Sequence, residues 1–145
     1  MRVKVASIIV AALLSVGCGA KLSPERQAAI KLTQAVELGK RVRVTTQSFE
    51  QAKLIQPKDA KVVYGNLLNA QLVASEIITN IEAIELIGAS PELVDKVSAG
   101  LDVLVILYPG VVKDVPVVEI KSKLLVILNQ SQSLVKESKE LFNGK

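Results

Sequence analysis

Apolar residues recur along this chain at alternating spacings of three and four, and short interruptions divide the run into four amphipathic stretches. That alternation returns to the same face of a helix on every turn, so each stretch predicts one helix with a single inward stripe. In the first, the stripe is Ala28, Leu32, Ala35, Gly39, Val42, Thr46 and Phe49. Ser23, Pro24 and Glu25 open it with a hydroxyl cap, a proline at the first helical position and an acid in the first turn, and it is expected to run to about Ile55. Gln56, Pro57, Lys58 and Asp59 break the pattern, because proline lacks a donor and disfavours helix at the residue before it. The second stretch has the most regular pattern: Ala60, Val63, Leu67, Ala70, Ala74, Ile77, Ile81 and Ile84 hold the alternation up to a stop at Gly88. Ser90, Pro91 and Glu92 repeat the opening signature, and Val94, Val97, Leu101 and Leu104 form the stripe of a third helix that ends at Tyr108, Pro109 and Gly110. This helix is expected to be barely half as long as its neighbours. Asp114 is expected to cap the fourth, with Pro116 in its first turn, Ile120, Leu124, Ile127, Ser131, Leu134 and Leu141 inward, and a close at Asn143 and Gly144.

Four amphipathic helices with short connections imply antiparallel neighbours. The expected fold is all-α, an antiparallel up-down-up-down four-helix bundle with a short third helix over residues 23–145, its long helices about 40 to 45 Å at 1.5 Å per residue. Strand is the weaker reading even in the valine-rich stretch 103–118, where no alternation of period two is sustained.

Ahead of the bundle the pattern is different. Residues 1–4 carry Arg2 and Lys4, and residues 5–16 are all small or apolar, ending in Ser15, Val16, Gly17 and Cys18. A positive start followed by a short apolar run is the layout of a signal peptide, too short to anchor stably across ~30 Å of hydrocarbon. Val16, Gly17 and Cys18 resemble the lipobox of bacterial lipoproteins, with Ser15 standing where that family usually has Leu and Leu14 one step earlier. The resemblance covers only the first twenty or so residues. It implies cleavage before Cys18, a diacylglycerol thioether on its sulfur and fatty acyl chains of the palmitate type. Gly19 is not the aspartate that resembles an inner-membrane retention signal in enteric lipoproteins, so the resemblance implies an outer-membrane location facing the periplasm. Ordinary secretion is the alternative, with cleavage after Gly17 or after Ala20. The expected organisation is a signal peptide over 1–17, a tether over 18–22 and the bundle over 23–145.

Composition narrows the chemistry. Half the residues are hydrophobic but only 3% are aromatic, so the core is aliphatic and lacks the stacking platforms of carbohydrate and single-strand nucleic-acid sites. Losing Arg2 and Lys4 with the leader takes the 18 basic side chains to 16 against 14 acidic, too even a balance for a nucleic-acid partner. One cysteine allows no internal disulfide, and the absence of histidine removes histidine triads, His-ligated zinc and a histidine base near neutral pH. No catalytic residue, metal site or cofactor is expected.

Candidate contacts are few. Lys40, Arg41 and Arg43 form a basic cluster suited to anionic head groups or an acidic partner, and equally to an ordinary solvated face. Glu76, Glu82 and Glu85 lack the histidines that accompany glutamates in bundle metal sites and read as a solvated face. Residues 101–108 are strongly apolar and read first as buried core, then as an exposed patch. Asn129, Gln130 and Ser131 spell a glycosylation sequon of little meaning on a helix of a bacterial protein. The expected function is therefore a non-enzymatic, membrane-anchored interaction or structural module of the cell envelope, held through Cys18, with a protein partner or a second copy. Two alternatives stand beside it, a bundle that carries an apolar ligand such as a lipid, and a small phage or plasmid exclusion or inhibitory lipoprotein.

Overall fold

The computed structural model describes residues 22–144, and the chain becomes helical where its caps direct it. Ser23 accepts a hydrogen bond from the Arg26 amide at 3.1 Å and Ser90 accepts one from the Leu93 amide at 3.2 Å, opening α1 (Pro24–Gln51) and α3 (Pro91–Gly110). Pro57 opens α2 (Pro57–Ile87), whose Gln56 cap makes no side-chain bond, and α4 covers Val118–Asn143. Among the described residues these four helices make an all-α bundle.

Three boundaries depart from expectation. α1 stops at Gln51 rather than near Ile55, because Lys53 takes a left-handed conformation (φ 60°) and the Lys53 and Leu54 amides return to Glu50 and Phe49 at 3.0 and 2.9 Å. α3 has 20 residues against 31 in α2, so it is about two-thirds rather than half the length of its neighbour. Asp114 does not cap α4. The preceding chain is occupied by tight turns, Val111 to Tyr108, Lys113 to Gly110 and Val115 to Val112, and Pro116 disfavours helix at Val115. α4 therefore begins at Val118, with Val117 as an N-cap that offers no side-chain acceptor.

Each helix packs on two others, α1 on α2, α2 on α3, α3 on α4 and α4 back on α1, which closes the ring. The α1–α4 seam is the most extensive, and the reason lies in its small residues. Ser131 donates to the Ala35 carbonyl at 3.2 Å and Ser138 to the Ala28 carbonyl at 2.9 Å, all four residues being buried. A hydroxyl reaches the backbone of a neighbouring helix only where the facing side chains are small enough for close approach. These serines also set the phase of α4: the buried stripe is Ile120, Leu124, Leu128, Ser131, Val135, Ser138 and Phe142. Ile127, Leu134 and Leu141, expected inward, flank it and are partly buried. Val94 and Phe49 likewise sit at the core's edge.

The two ends of the bundle differ. At the distal end, where α1 stops and α4 starts, Ile55, Val111, Val112 and Val115 turn inward and are almost fully buried, so both connections plug the core. At the proximal end, where α1 starts, α2 runs out into Leu86 and Ile87, which are 84% and 79% exposed, before Gly88 turns the chain at a φ of 92°.

Candidate functional site

Apart from buried hydroxyls that bond to helix carbonyls, the bundle's interior is aliphatic around a polar bridge. Gln71 on α2 donates through Nε2 to the Val36 carbonyl of α1 at 2.9 Å and accepts through Oε1 from the Tyr108 hydroxyl of α3 at 2.6 Å. Gly39 makes the room: a Cβ there would lie 2.6 Å from Gln71 Nε2. Tyr108 is fully buried, and burial pushes its hydroxyl well above the ordinary value of 10.0, so it stays a neutral donor. The bridge joins three helices.

The basic cluster lies midway along α1, and all three of its members are exposed. At 100° per residue Arg43, Lys40 and Arg41 fan over about 160° of the helix surface, so the three do not converge on one point. Lys40 pairs with Glu37 at 2.9 Å, one turn back. Arg43 turns towards α2 and stands over the Tyr64 ring, 6.0 Å from its centroid, while the Tyr64 hydroxyl donates to Glu50 at 3.0 Å. Burial first, and then the Glu50 carboxylate, raise the Tyr64 pKa, with Arg43 pulling the other way. Arg41 is the member of the cluster with neither an ion pair nor a ring contact. Val44 is 61% exposed on the same outer surface.

The remaining candidates divide. Glu85 pairs with Arg26 of α1 at 3.0 Å, Glu76 is exposed, and Glu82 turns Oε1 into a buried position without a hydrogen-bond partner. Among the described residues no group of acidic or cysteine side chains is placed to hold a metal ion. Leu101, Leu104 and Tyr108 enter the core while Val103 and Ile106 of the same stretch are 46% and 73% exposed. Of the sequon, Asn129 is exposed and Ser131 is buried against Ala35. Cys18 and the rest of the leader lie outside the described residues.

Sequence reasoning missed the proximal end. Leu86 and Ile87 fall off the inward stripe of Ile77, Ile81 and Ile84 and directly precede Gly88, and that combination is the signal that marks them. At the same end the first turns of α1 and the last turns of α4 enclose an open cleft of about 430 Å³, lined by Gln27, Lys31, Glu137, Glu140 and Leu141 among others. The Lys31–Glu137 ion pair, at 3.0 Å, joins its two walls. No described helix is long and apolar enough to cross a membrane. In comparisons with protein-family models, curated proteins and solved structures, nothing matches this chain.

Proposed function

We propose that this chain is a lipid-anchored, non-enzymatic interaction module of the bacterial envelope, held at the outer membrane through Cys18 and facing the periplasm. One observation carries the reading: the chain's single cysteine closes its apolar leader only five positions before Ser23, the cap of the first helix. A lipid on that cysteine holds the bundle against the membrane, since acyl chains anchor at ~0.8 kcal/mol per buried methylene. The partner surface is the outer face of α1, where Arg41 and Val44 are open to an acidic protein or a second copy. Lys40 stands about 25 Å along α1 from its start, at 1.5 Å per residue, which directs this face away from the chain's own membrane and towards a neighbour.

A carrier of apolar ligands has less support. It needs an aliphatic chamber inside the bundle. The 430 Å³ cleft is open and carries Lys31, Glu137 and Glu140 on its walls, and the α1–α4 seam beside it is closed by the serine hydrogen bonds. The deciding experiment is the intact mass of the mature protein extracted from host membranes in mild detergent. Cleavage before Cys18 with added acyl mass is the expected result. An unmodified, freely soluble protein removes the anchor.

A further inference from the structure

Among the described residues Leu86 and Ile87 are the two most exposed large hydrophobic side chains, and they are neighbours in sequence. At the distal end Ile55, Val111, Val112 and Val115 fold under the core, while Leu54 and Val118 are 55% and 75% exposed. Leu86 and Ile87 are the more exposed adjacent pair, and they sit together on one tight turn, whereas the distal pair Val117 and Val118 is 40% and 75% exposed. The proximal end is the one from which the N-terminal segment leaves. Gln27 Nε2 donates to the Leu22 carbonyl at 2.8 Å, which fixes the exit point beside the start of α1. From there to Cys18 are four residues, which span at most about 15 Å when fully extended.

We propose that the proximal end is a bilayer contact, with Leu86 and Ile87 entering the boundary between head groups and acyl chains of the membrane that holds Cys18. The proposal rests on the anchored reading given above. With a tether this short the end face is always within reach of the lipid, and an apolar pair in a tight turn enters an interface ~5 to 10 Å deep without exposing unpaired backbone to hydrocarbon. Gly88 makes the turn possible at a positive φ where other residues are strained, and Gly88 N–H returns to the Ile84 carbonyl at 2.9 Å, so the pair is presented on a fixed corner. Two ion pairs stand near this corner, Arg26 with Glu85 at 3.0 Å and Lys96 with Glu92 at 3.3 Å. Two points of attachment, the lipid and the apolar corner, stand the bundle on end and turn the outer face of α1 sideways.

The test uses the mature protein from a bacterial host, carrying Ala89→Cys labelled with an environment-sensitive fluorophore. A thioether at Cys18 leaves the introduced thiol as the reactive one. The protein is reconstituted into phosphatidylethanolamine–phosphatidylglycerol vesicles containing lipid with a head-group spin label, and quenching is compared with the same label at Lys58→Cys, at the distal end, and at Gln47→Cys, on the outer face of α1. Quenching at Ala89→Cys several-fold above both others is expected, falling to the distal level when Leu86→Gln and Ile87→Gln are added. Equal quenching at all three sites, strongest quenching at Gln47→Cys, or quenching that survives the double substitution overturns the bilayer contact. Intact mass of each sample reads the anchor separately, so an unacylated protein removes the anchored reading and this proposal with it, whereas an acylated one without selective quenching removes this proposal alone. Unchanged circular dichroism shows that the variants retain the fold.

Discussion

Replacing Tyr108 by Phe deletes one oxygen from the centre of the bundle and leaves its shape intact, so the effect isolates the polar bridge. The hydroxyl is fully buried and donates to Gln71 Oε1 at 2.6 Å. Its loss removes one hydrogen bond, worth ~0.5 to 1.5 kcal/mol net, and leaves a half-buried amide oxygen without its donor, so Tyr108→Phe is expected to cost about 1 to 2 kcal/mol. Gln71→Met strands the hydroxyl instead and also deprives the Val36 carbonyl of its 2.9 Å bond, with a similar expected cost. The double variant strands less than the two single ones together, so the costs should fall short of additivity by ~1 kcal/mol. Urea unfolding of the bundle followed by circular dichroism measures all four proteins. Fully additive costs, or a Tyr108→Phe protein as stable as the parent, would refute the bridge. The same variant has a signature in alkali. The folded Tyr108 hydroxyl holds its proton above the ordinary 10.0, so the unfolded state loses a proton first and stability falls as the pH rises past that value. Tyr108→Phe should remove that part of the alkaline decline.

Other perturbations test other parts of the molecule. Burial, and then repulsion from Glu85, raise the Glu82 pKa above 4.5 against the pull of Arg26, so its contribution is complete below pH 4.5 and is lost as pH rises through the raised folded value. Glu82→Gln should therefore be more stable than the parent at pH 7, with the gap closing below pH 4.5, measured by thermal melts across that range; a variant less stable at pH 7 contradicts the buried, partnerless oxygen. Lys53→Gly, at the left-handed residue closing α1, should gain up to ~1 kcal/mol in urea unfolding, net of the extra freedom of an unfolded glycine. Changing Lys40, Arg41 and Arg43 together to Gln should move the melting temperature little, since all three are exposed, and should weaken pull-down of an envelope partner or self-association in light scattering; unaltered association returns the cluster to an ordinary solvated face.

Where the chain's own local chemistry decides the structure, the sequence was legible. The Ser-Pro-Glu signatures open α1 and α3 because cap and proline act within one turn, and the stripe of α2, with that of α1 as far as Thr46, reads correctly because small and β-branched residues leave one possible inner face. The start of α4 did not read, because Asp114 competes with turns that Pro116 and the buried valines impose on the connection. The phase of its stripe was set by two serines seeking carbonyls on another helix, and hydropathy ranks serine as an outward residue. The candidate surface shows the same division. The basic cluster was visible as a run of charge, but that Arg43 leans on Tyr64 depends on helix pairing. Leu86 and Ile87 lie off the stripe of α2, and the end of the bundle at which they emerge depends on how the helices pair.

Gln71 has one further consequence, for which alignments of the helices are allowed. A seam built from residues seven apart looks the same to its partner after a slide of one heptad, ~10.5 Å, and the aliphatic stripes of this bundle offer little to penalise such a slide. Gln71 finds a notch only at Gly39, and Tyr108 finds an acceptor only at Gln71. Shifted by a heptad, the amide meets Leu32 or Thr46 in place of Gly39, and the phenol loses the Gln71 acceptor. The bundle therefore carries one non-repeating key among repeating teeth, and a chain lacking it would be free to settle in several neighbouring registers.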